Sequence, residues 1–444
     1  MKISFTTVIV LLFVLVQSSV IAQTDSILYR TYEFPNVYRK ALQLNPNLSG
    51  SYNKLNSKND LDDNNQSYFN QDLNVTYSSF KNDEKTQGES NSSFSNSYSR
   101  YISDEEKIIN FGLYLNTYNL QRKFGTNNKF FEWSYNLNTS YTSSKRAEFP
   151  DMNQKILYSN LSVPLKIGKG RIQPISDVFL AKFIADELVS TGIISRQMTQ
   201  SELFSFANEI AILQNKRVFD NRMYRVYVQE NLSKWLENNF QTDKERTIEL
   251  VNIITDNWLN AFLTNRLSGK SFSFGVTPYL QFYRDLEAGS YLFHDLAATG
   301  IVEYKNELPM SQFFQRSINI SGGIRAIDKK YNEIGGQFLE PFFNASYIFG
   351  YYPNSRTTLS LVANVNYQQI NNVILNTTKN DRINSGLDFV TSYFINNRVR
   401  ITGTLSADYT YSHRDDEEFF GTIFKYTYNQ IQLNSNLGLS YIFF

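Results

Sequence analysis

The chain of 444 residues has no cysteine. That excludes disulfides, thiolate metal sites, a cysteine nucleophile and a lipoprotein anchor. It has only two histidines, His294 and His413, which leaves little room for imidazole-based catalysis. Neither sign of charge dominates: 43 Lys and Arg face 42 Asp and Glu, a net charge of +1. No global field therefore argues for nucleic acid or for an acidic partner. Long apolar runs are missing beyond the N-terminus, and mean hydropathy is −0.38. A bundle of membrane-spanning helices is excluded, but not a protein that crosses with strands, whose lipid-facing residues are diluted by alternation.

Aromatic residues are plentiful, with 30 Tyr and 35 Phe. They fall mostly on period-two patterns. The clearest is Asn429 to Phe444, where Ile431, Leu433, Leu437, Leu439, Tyr441 and Phe443 share one parity and Gln430, Gln432, Asn434, Asn436, Gly438 and Ser440 the other. A strand sends successive side chains to opposite faces, so this segment has one apolar and one polar face. The pattern repeats through 47–56, 68–80, 91–101, 108–118, 130–142 and 156–167. It returns through 271–283, 290–304, 312–325, 338–350, 357–369, 383–395, 398–411 and 424–443. Fourteen strands result, with twelve to sixteen as the range.

Between the two runs the period changes. Ser176 to about Val189 places Ala181, Ile184, Ala185 and Leu188 at helical spacing. Thr199-Gln-Ser-Glu202 is a capping-box pattern ahead of Leu203, Phe206, Ala207, Ile210 and Leu213. A third helix is predicted over Asn221–Glu237, with Val226, Leu232 and Leu236 inward. A fourth follows Thr242-Asp-Lys-Glu245, with Ile248, Ile254 and Trp258 inward. Four amphipathic helices can share a core. The reading divides the chain into a secretory signal (1–22), a lead-in (23–46), strands one to six (47–174), a helical insert (175–268) and strands seven to fourteen (269–444). Lys2, the apolar run Val8–Val16 and small residues before Gln23 carry the signal. The lead-in is either a periplasmic arm or a plug.

An apolar face, a polar face, a signal peptide and a final Phe444 resemble Gram-negative outer-membrane β-barrel proteins. The resemblance is at class level, covers the whole mature chain and names no substrate. It implies an all-β transmembrane antiparallel barrel with an inserted four-helix periplasmic domain, located in the cell outer membrane. It also implies lipids and the barrel-insertion machinery as partners, with Tyr441, Phe443 and Phe444 as the insertion signal. A further periplasmic protein is an expected partner of the insert; nucleic acid is not expected.

Carried inward, the alternation gives a pore-lining set: Glu132, Asp295, Glu303, Arg325, Glu340, Asp388, Arg398, Arg400 and Asp408. Charged rings tune which solutes cross a pore, but the same residues can be structural ion pairs in a filled lumen. No catalytic site emerges. His294 is followed by Asp295 and Leu296, not by the serine two residues on that membrane-embedded lipases of this class carry. His413 with Asp415 and Asp416 is only a faint echo of the outer-membrane proteases. Asp415–Glu418 lacks the alternating ligand loop of a calcium site, so neither metal nor cofactor is expected. Ile167-Gly-Lys-Gly-Arg-Ile-Gln-Pro174 lacks phosphate-loop spacing and reads as a tight exit turn. The two functional expectations are a pore or transporter for small solutes and a non-conducting envelope scaffold or assembly factor.

Overall fold

The structure is a computed structural model that describes residues 29–55, 64–103, 106–149, 152–216, 221–240, 242, 244–260, 266–287, 292–331, 334–372, 379–395, 399–417 and 423–441. The signal segment, Arg398, Phe443 and Phe444 lie outside these residues.

The fold is a barrel-type antiparallel sheet with four inserted helices. Its first half contains β1 (Val37–Leu55), β2 (Asn64–Asn82), β3 (Thr86–Ile102), β4 (Lys107–Phe124), β5 (Lys129–Arg146), β6 (Gln154–Ser162) and β7 (Leu165–Pro174). The helices follow: α1 (Ser176–Ser190), α2 (Gln200–Gln214), α3 (Asn221–Asn239) and α4 (Thr247–Asn260). The second half contains β8 (Leu267–Asp285), β9 (Leu292–Pro309), β10 (Phe314–Tyr331), β11 (Ile334–Asn354), β12 (Thr357–Asn372), β13 (Lys379–Phe394), β14 (Val399–Glu417) and β15 (Ile423–Tyr441). Apart from the β6–β7 pair, each strand pairs with the next in sequence order. Such a meander needs only short connections and no crossovers.

The fifteen strands fill fourteen positions. β5 pairs with β6 through Asn136↔Ser162 and with β7 through Trp133↔Leu165, in one continuous register. β8 does the same through Leu161↔Leu280 and Leu165↔Val276. β6 and β7 are therefore one strand, interrupted where Pro164 has no N–H to give the ladder. Its carbonyl still accepts from the Ser134 N–H at 2.9 Å. An even count brings β1 and β15 to the insert-bearing end with their outer termini, since Val37 faces Asn82 and Tyr441 faces Val399.

The sheet is curled. In a flat sheet β3 and β7 would be separated by three strand spacings of about 4.8 Å each. Yet the Gln87 side chain donates to the Ile172 carbonyl at 3.0 Å, and Arg171 reaches Asn82 and the Asp83 carbonyl at 3.0 and 2.6 Å. Among the described residues the ladders begin at β1 and end at β15, and none joins those two strands.

Several boundaries differ from the sequence expectation. β1 starts at Val37 and runs through Pro46, so the strand claims part of the expected lead-in. Pro46 stands opposite Leu73 in the ladder with β2, the one ladder of β1 among the described residues. The expected long polar turn near 81–90 shrinks to Asp83–Lys85. Asp83 Oδ1 accepts from the Lys85 and Thr86 N–H groups at 2.9 and 2.6 Å, an aspartate turn that alternation cannot signal. The expected loop at 326–337 is mostly strand, because β10 and β11 continue as a polar hairpin to Tyr331 and Ile334. His413, Asp415 and Asp416 likewise lie within β14 rather than in a loop. Residues 167–174 are β7 rather than an exit turn.

The helical core holds Ile184, Leu188, Leu203, Phe206, Ile210, Leu232, Leu236, Ile254 and Trp258. α2 carries the expected capping box: Glu202 N–H bonds Thr199 Oγ1, and Glu202 accepts from the Thr199 N–H. Thr242–Glu245 does not cap α4, which starts at Thr247 after a 3-10 turn at Lys244–Arg246. Val226 and Ile248, expected inward, are exposed, and Val228 and Leu250 take the core positions.

Candidate functional site

The polarity of the sheet is inverted relative to a water-soluble protein. Phe131 is 46% exposed while its neighbour Glu132 is 3% exposed; Leu296 is 57% exposed beside Asp295 at 7%. Phe274 and Ser273, and Leu339 and Glu340, repeat the inversion. An outward band of Leu, Phe, Val and Ile around an inward polar face suits a hydrocarbon surround. In that surround an unpaired backbone N–H or C=O costs several kcal/mol, which favours one long ladder per strand.

Cross-strand register turns the inner face into continuous rows. One row runs Gln43, Thr76, Ser93, Asn116, Asn138, Asn160, Gln281, Asp295 and Lys329. A second runs Ser273, Glu303, Ser321, Asn344, Asn366, Asn384, Thr410 and Gln430. Directly opposed side chains lie within reach of each other. Asn138 Nδ2 bonds Asn160 Oδ1 at 2.9 Å, and Thr410 Oγ1 bonds Asn384 Oδ1 at 3.1 Å. These rows are mostly neutral amides and hydroxyls, which present donors and acceptors together.

Half of the charged candidates within the described residues, Glu132, Glu303, Arg325 and Glu340, are ion-paired. Glu132 is held by Arg122, with Nε at 2.9 Å, and lies 3.6 Å from Lys166 Nζ. Lys166 also bonds Glu303 at 2.8 Å, and Ser273 Oγ lies 3.4 Å from the same Glu303 oxygen. Arg325 stands 3.8 Å from Glu340, which Gln368 Nε2 approaches at 3.2 Å. Arg400 Nε donates to Ser392 Oγ at 3.0 Å. Asp295 is buried opposite Lys329 in the register, with Oδ1 lacking a hydrogen bond. Asp388 and Asp408 sit on the inward parity of β13 and β14, beside Leu387 and Ala407 respectively. Tyr441 ends β15 on the outward parity. The sequence reading brought the acids together but missed Arg122 and Lys166, although both lie on the polar parity of their strands. The candidate set holds six acids and three bases; with these two bases added it is six against five, so the excess of acids narrows to one. His413 Nδ1 lies 3.0 Å from Thr427 Oγ1. Among the described residues no group of His, Asp or Glu could hold a metal ion.

The insert-bearing end is covered. The lead-in joins the helical core: Tyr29 packs on Phe179 at 4.6 Å between ring centres, and Tyr32 on Phe204 at 5.3 Å. Gln173 holds it to the sheet, donating to the Tyr32 carbonyl at 2.9 Å. Asn82 approaches the Phe34 and Pro35 carbonyls at 3.5 and 3.4 Å. These residues are thus part of the insert rather than a lumen plug. On the other flank, Gln312 of the β9–β10 turn donates to Asp186 of α1 at 3.0 Å, and Arg356 of the β11–β12 turn meets Asp256 of α4 at 2.9 Å. The helices therefore straddle the end of the sheet from β2 to β12. Arg266 ties them down, donating to the Gln312, Ser311 and Phe314 carbonyls at 2.5, 2.9 and 3.1 Å and to Gln315 Oε1 at 3.2 Å.

Solved structures that align with this chain are bacterial β-barrels. The translocator domain of the autotransporter NalP from Neisseria meningitidis is 8% identical, with 93% of this chain and 91% of that one covered and a TM-score of 0.21. The TodX deltaS2S3 mutant monoaromatic hydrocarbon channel is 9% identical, covers 95% and 94%, and scores 0.28. The beta domain of the Bordetella autotransporter Brka is 7% identical, covers 92% and 99%, and scores 0.23. At such scores the likeness assigns no residue a role. No protein-family model matches the sequence, and no curated protein matches it significantly.

Two groups at the covered end are perturbed by burial. Asp177, in the first turn of α1, is pushed up to about 7 by desolvation. Arg266 is lowered to about 9 by desolvation, which still leaves it cationic at neutral pH. At the β2–β3 turn, burial works to raise Asp83, but hydrogen bonds from Thr86, Lys81 and Lys85 outweigh it and hold the carboxyl well below the usual range.

Proposed function

We propose that the chain is an outer-membrane β-barrel pore for small polar solutes, with the helical insert on the periplasmic side restricting its inner mouth. The observation that carries this reading is the pair of rows, mostly amides and hydroxyls, across the inner face. A packed, solute-excluding interior would need complementary apolar volume; a face of Asn, Gln, Ser and Thr is compatible with water. Fourteen strands fall between the eight-stranded barrels whose side chains fill the interior and the 16–18-stranded porins with aqueous channels. The ion pairs offset part of the inner charge and the rows between them are mostly uncharged, which favours neutral solutes over ions. The protein has no enzymatic role in this reading, and it needs no cofactor. Its partners are outer-membrane lipids and the insertion machinery, which would read Tyr441, Phe443 and Phe444. Purified protein in planar bilayers tests the function: discrete conductance steps are expected, and folded, heat-modifiable protein that gives no step overturns it.

A second reading rests on the insert surface. Val226 and Ile248 are 56% and 79% exposed on helices whose other faces are buried. In the scaffold alternative they would meet a periplasmic protein. Co-purification from envelope extracts, with Val226→Asp/Ile248→Asp as the control, separates the two readings. Conductance without a partner favours the pore; a partner lost in the variant, without conductance, favours the scaffold.

A further inference from the structure

The inner face is not uniform. A cavity of about 360 Å³ opens on it between β8 and β13. Its polar wall is the stretch of the second row in which Asn344, Asn366 and Asn384 stand opposite one another on adjacent strands. Neighbouring strands are about 4.8 Å apart, close to the separation of alternate hydroxyls on one pyranose ring. Each amide can donate and accept at once. Asn344 points a donor at Ser321 Oγ at 3.4 Å, and Asn384 accepts from Thr410 at 3.1 Å. For Asn366, between them, no side-chain hydrogen bond occurs among the described residues, so its side-chain amide is available.

The remaining wall complements the amides. The aromatic rings of Tyr279 and Phe342 line the cavity. Arg325 lies 5.1 Å from the centre of the Tyr279 ring and 3.8 Å from Glu340. The two charged lining residues answer each other, and the nearest further charge, Arg382, is turned to Asn384 Oδ1 at 3.4 Å. A small concave site with apolar rings and a few convergent polar groups has the usual form of a ligand pocket, and its volume is near the lower end of the usual range of about 300–1,000 Å³.

We infer that this cavity binds a neutral polyhydroxylated solute, a mono- or disaccharide, with the amides of Asn344, Asn366 and Asn384 on its hydroxyls and an aromatic ring against its C–H face. The site rests on the pore reading only for the route by which the solute arrives; binding to the folded protein does not require conduction. A hydrated site of this kind holds its ligand weakly, in the millimolar range, because desolvation of the hydroxyls offsets most of each new hydrogen bond.

Titration calorimetry on the full chain in detergent tests it, with maltose and cellobiose as saccharide probes and the zwitterionic dipeptide Ala-Ala as the control. Saturable heat is expected with at least one disaccharide and none with Ala-Ala. The variant Asn366→Leu/Asn384→Leu should weaken that binding at least ten-fold while the heat-modifiable gel shift stays unchanged. Tyr279→Ala provides a second, independent loss of at least three-fold. No saturable heat with either disaccharide, preference for the dipeptide, or disaccharide binding that the amide variant leaves intact would each overturn the site. If the bilayers stay silent while the sugar still binds, the pore reading fails and the site stands.

Discussion

The guanidinium carbon of Arg266 lies 3.2 Å from the centre of the Phe179 ring. This contact joins the first residue before β8 to the first helix of the insert. The side chain is 1% exposed, and its donors reach three carbonyls of the β9–β10 turn region. A cation over an aromatic face gains most where water is excluded. Replacing Arg266 by Ala leaves those carbonyls without their donors and should loosen the insert by about 3 kcal/mol. Arg266→Lys keeps a charge but not the planar fork, and should recover only part of the loss. Limited proteolysis within 175–265 on otherwise folded protein is the measurement: faster cleavage is expected for Ala, with Lys intermediate.

Asp177 gives the same junction a pH dependence. Its folded value is raised above the ordinary 3.8 to about 7. The folded state therefore holds the proton more tightly than the unfolded one. Stability from this group is fully present below pH 4, falls as pH rises towards 7, and is flat above that. The upper limit of the loss is about 4 kcal/mol, at about 1.36 kcal/mol per pKa unit. Asp177→Asn should make the insert more resistant to unfolding at pH 8 and remove the slope between pH 4 and 7. Thermal unfolding of the full chain across that range reads both; an unchanged slope in the variant would assign the dependence elsewhere.

Lys166 stands between Glu132 and Glu303. Its removal would leave the partly buried Glu303 with the Ser273 hydroxyl and the more distant charge of Lys305, whereas Glu132 keeps Arg122. Breaking a buried pair from one side costs roughly 3–5 kcal/mol. Lys166→Met should lower the temperature at which the folded band disappears on unheated gels. Adding Glu303→Gln should restore much of it, because the uncompensated charge is then gone.

Two glycines form the neck through which the chain leaves and re-enters the sheet. Gly170 has φ +108° and Gly269 has φ +124°. A Cβ on Gly170 would fall 2.0 Å from the Lys270 carbonyl oxygen, and one on Gly269 would fall 2.0 Å from that of Arg171. Both conformation and space forbid alanine. Either Gly→Ala change should abolish heat-modifiable protein. Gly192 is a control within the insert: its φ is +75°, but the nearest atom to a Cβ is 3.6 Å away. Gly192→Ala should cost only about 1 kcal/mol.

The residues that were easiest to read were those governed by alternation. Fourteen strand positions and four helices are legible because lipid on one side and polar groups on the other impose a period of two, and a small buried core imposes one of 3.6. Val226 and Ile248 misled because apolar character signals burial only when a partner face exists. The hairpin extension at β10–β11 was hidden because Asp328 and Lys330 interrupt the apolar parity. The lead-in's attachment was not legible at all: Tyr29 and Tyr32 pack on Phe179 and Phe204, more than a hundred positions away, and Phe34 packs on Phe80, and no local period records that. Arg122 lies beyond the expected strand 108–118 and is legible only when the parity of β4 is carried to its end, whereas Lys166 already falls on the polar parity of the expected strand 156–167.

The seam between β1 and β15 supplies the strictest test of closure. In hydrocarbon, two free strand edges cannot persist unpaired, so β1 and β15 are expected to zip in the membrane. Gln43 and Asn45 share the inner face with Thr76 and Asn74, and Gln432 and Asn434 share it with Asp408 and Ser406. The chain has no native cysteine, so engineered pairs report without background. Cysteines at Gln43, Asn45 or Asn47, each combined with Gln432, Asn434 or Asn436, sample the possible registers. A disulfide needs Cα atoms no more than about 7 Å apart. Mild oxidation in isolated outer membranes should therefore cross-link some combinations, shifted by one common register, and leave the others reduced. If no combination cross-links while folded protein accumulates, the sheet does not close through these two strands.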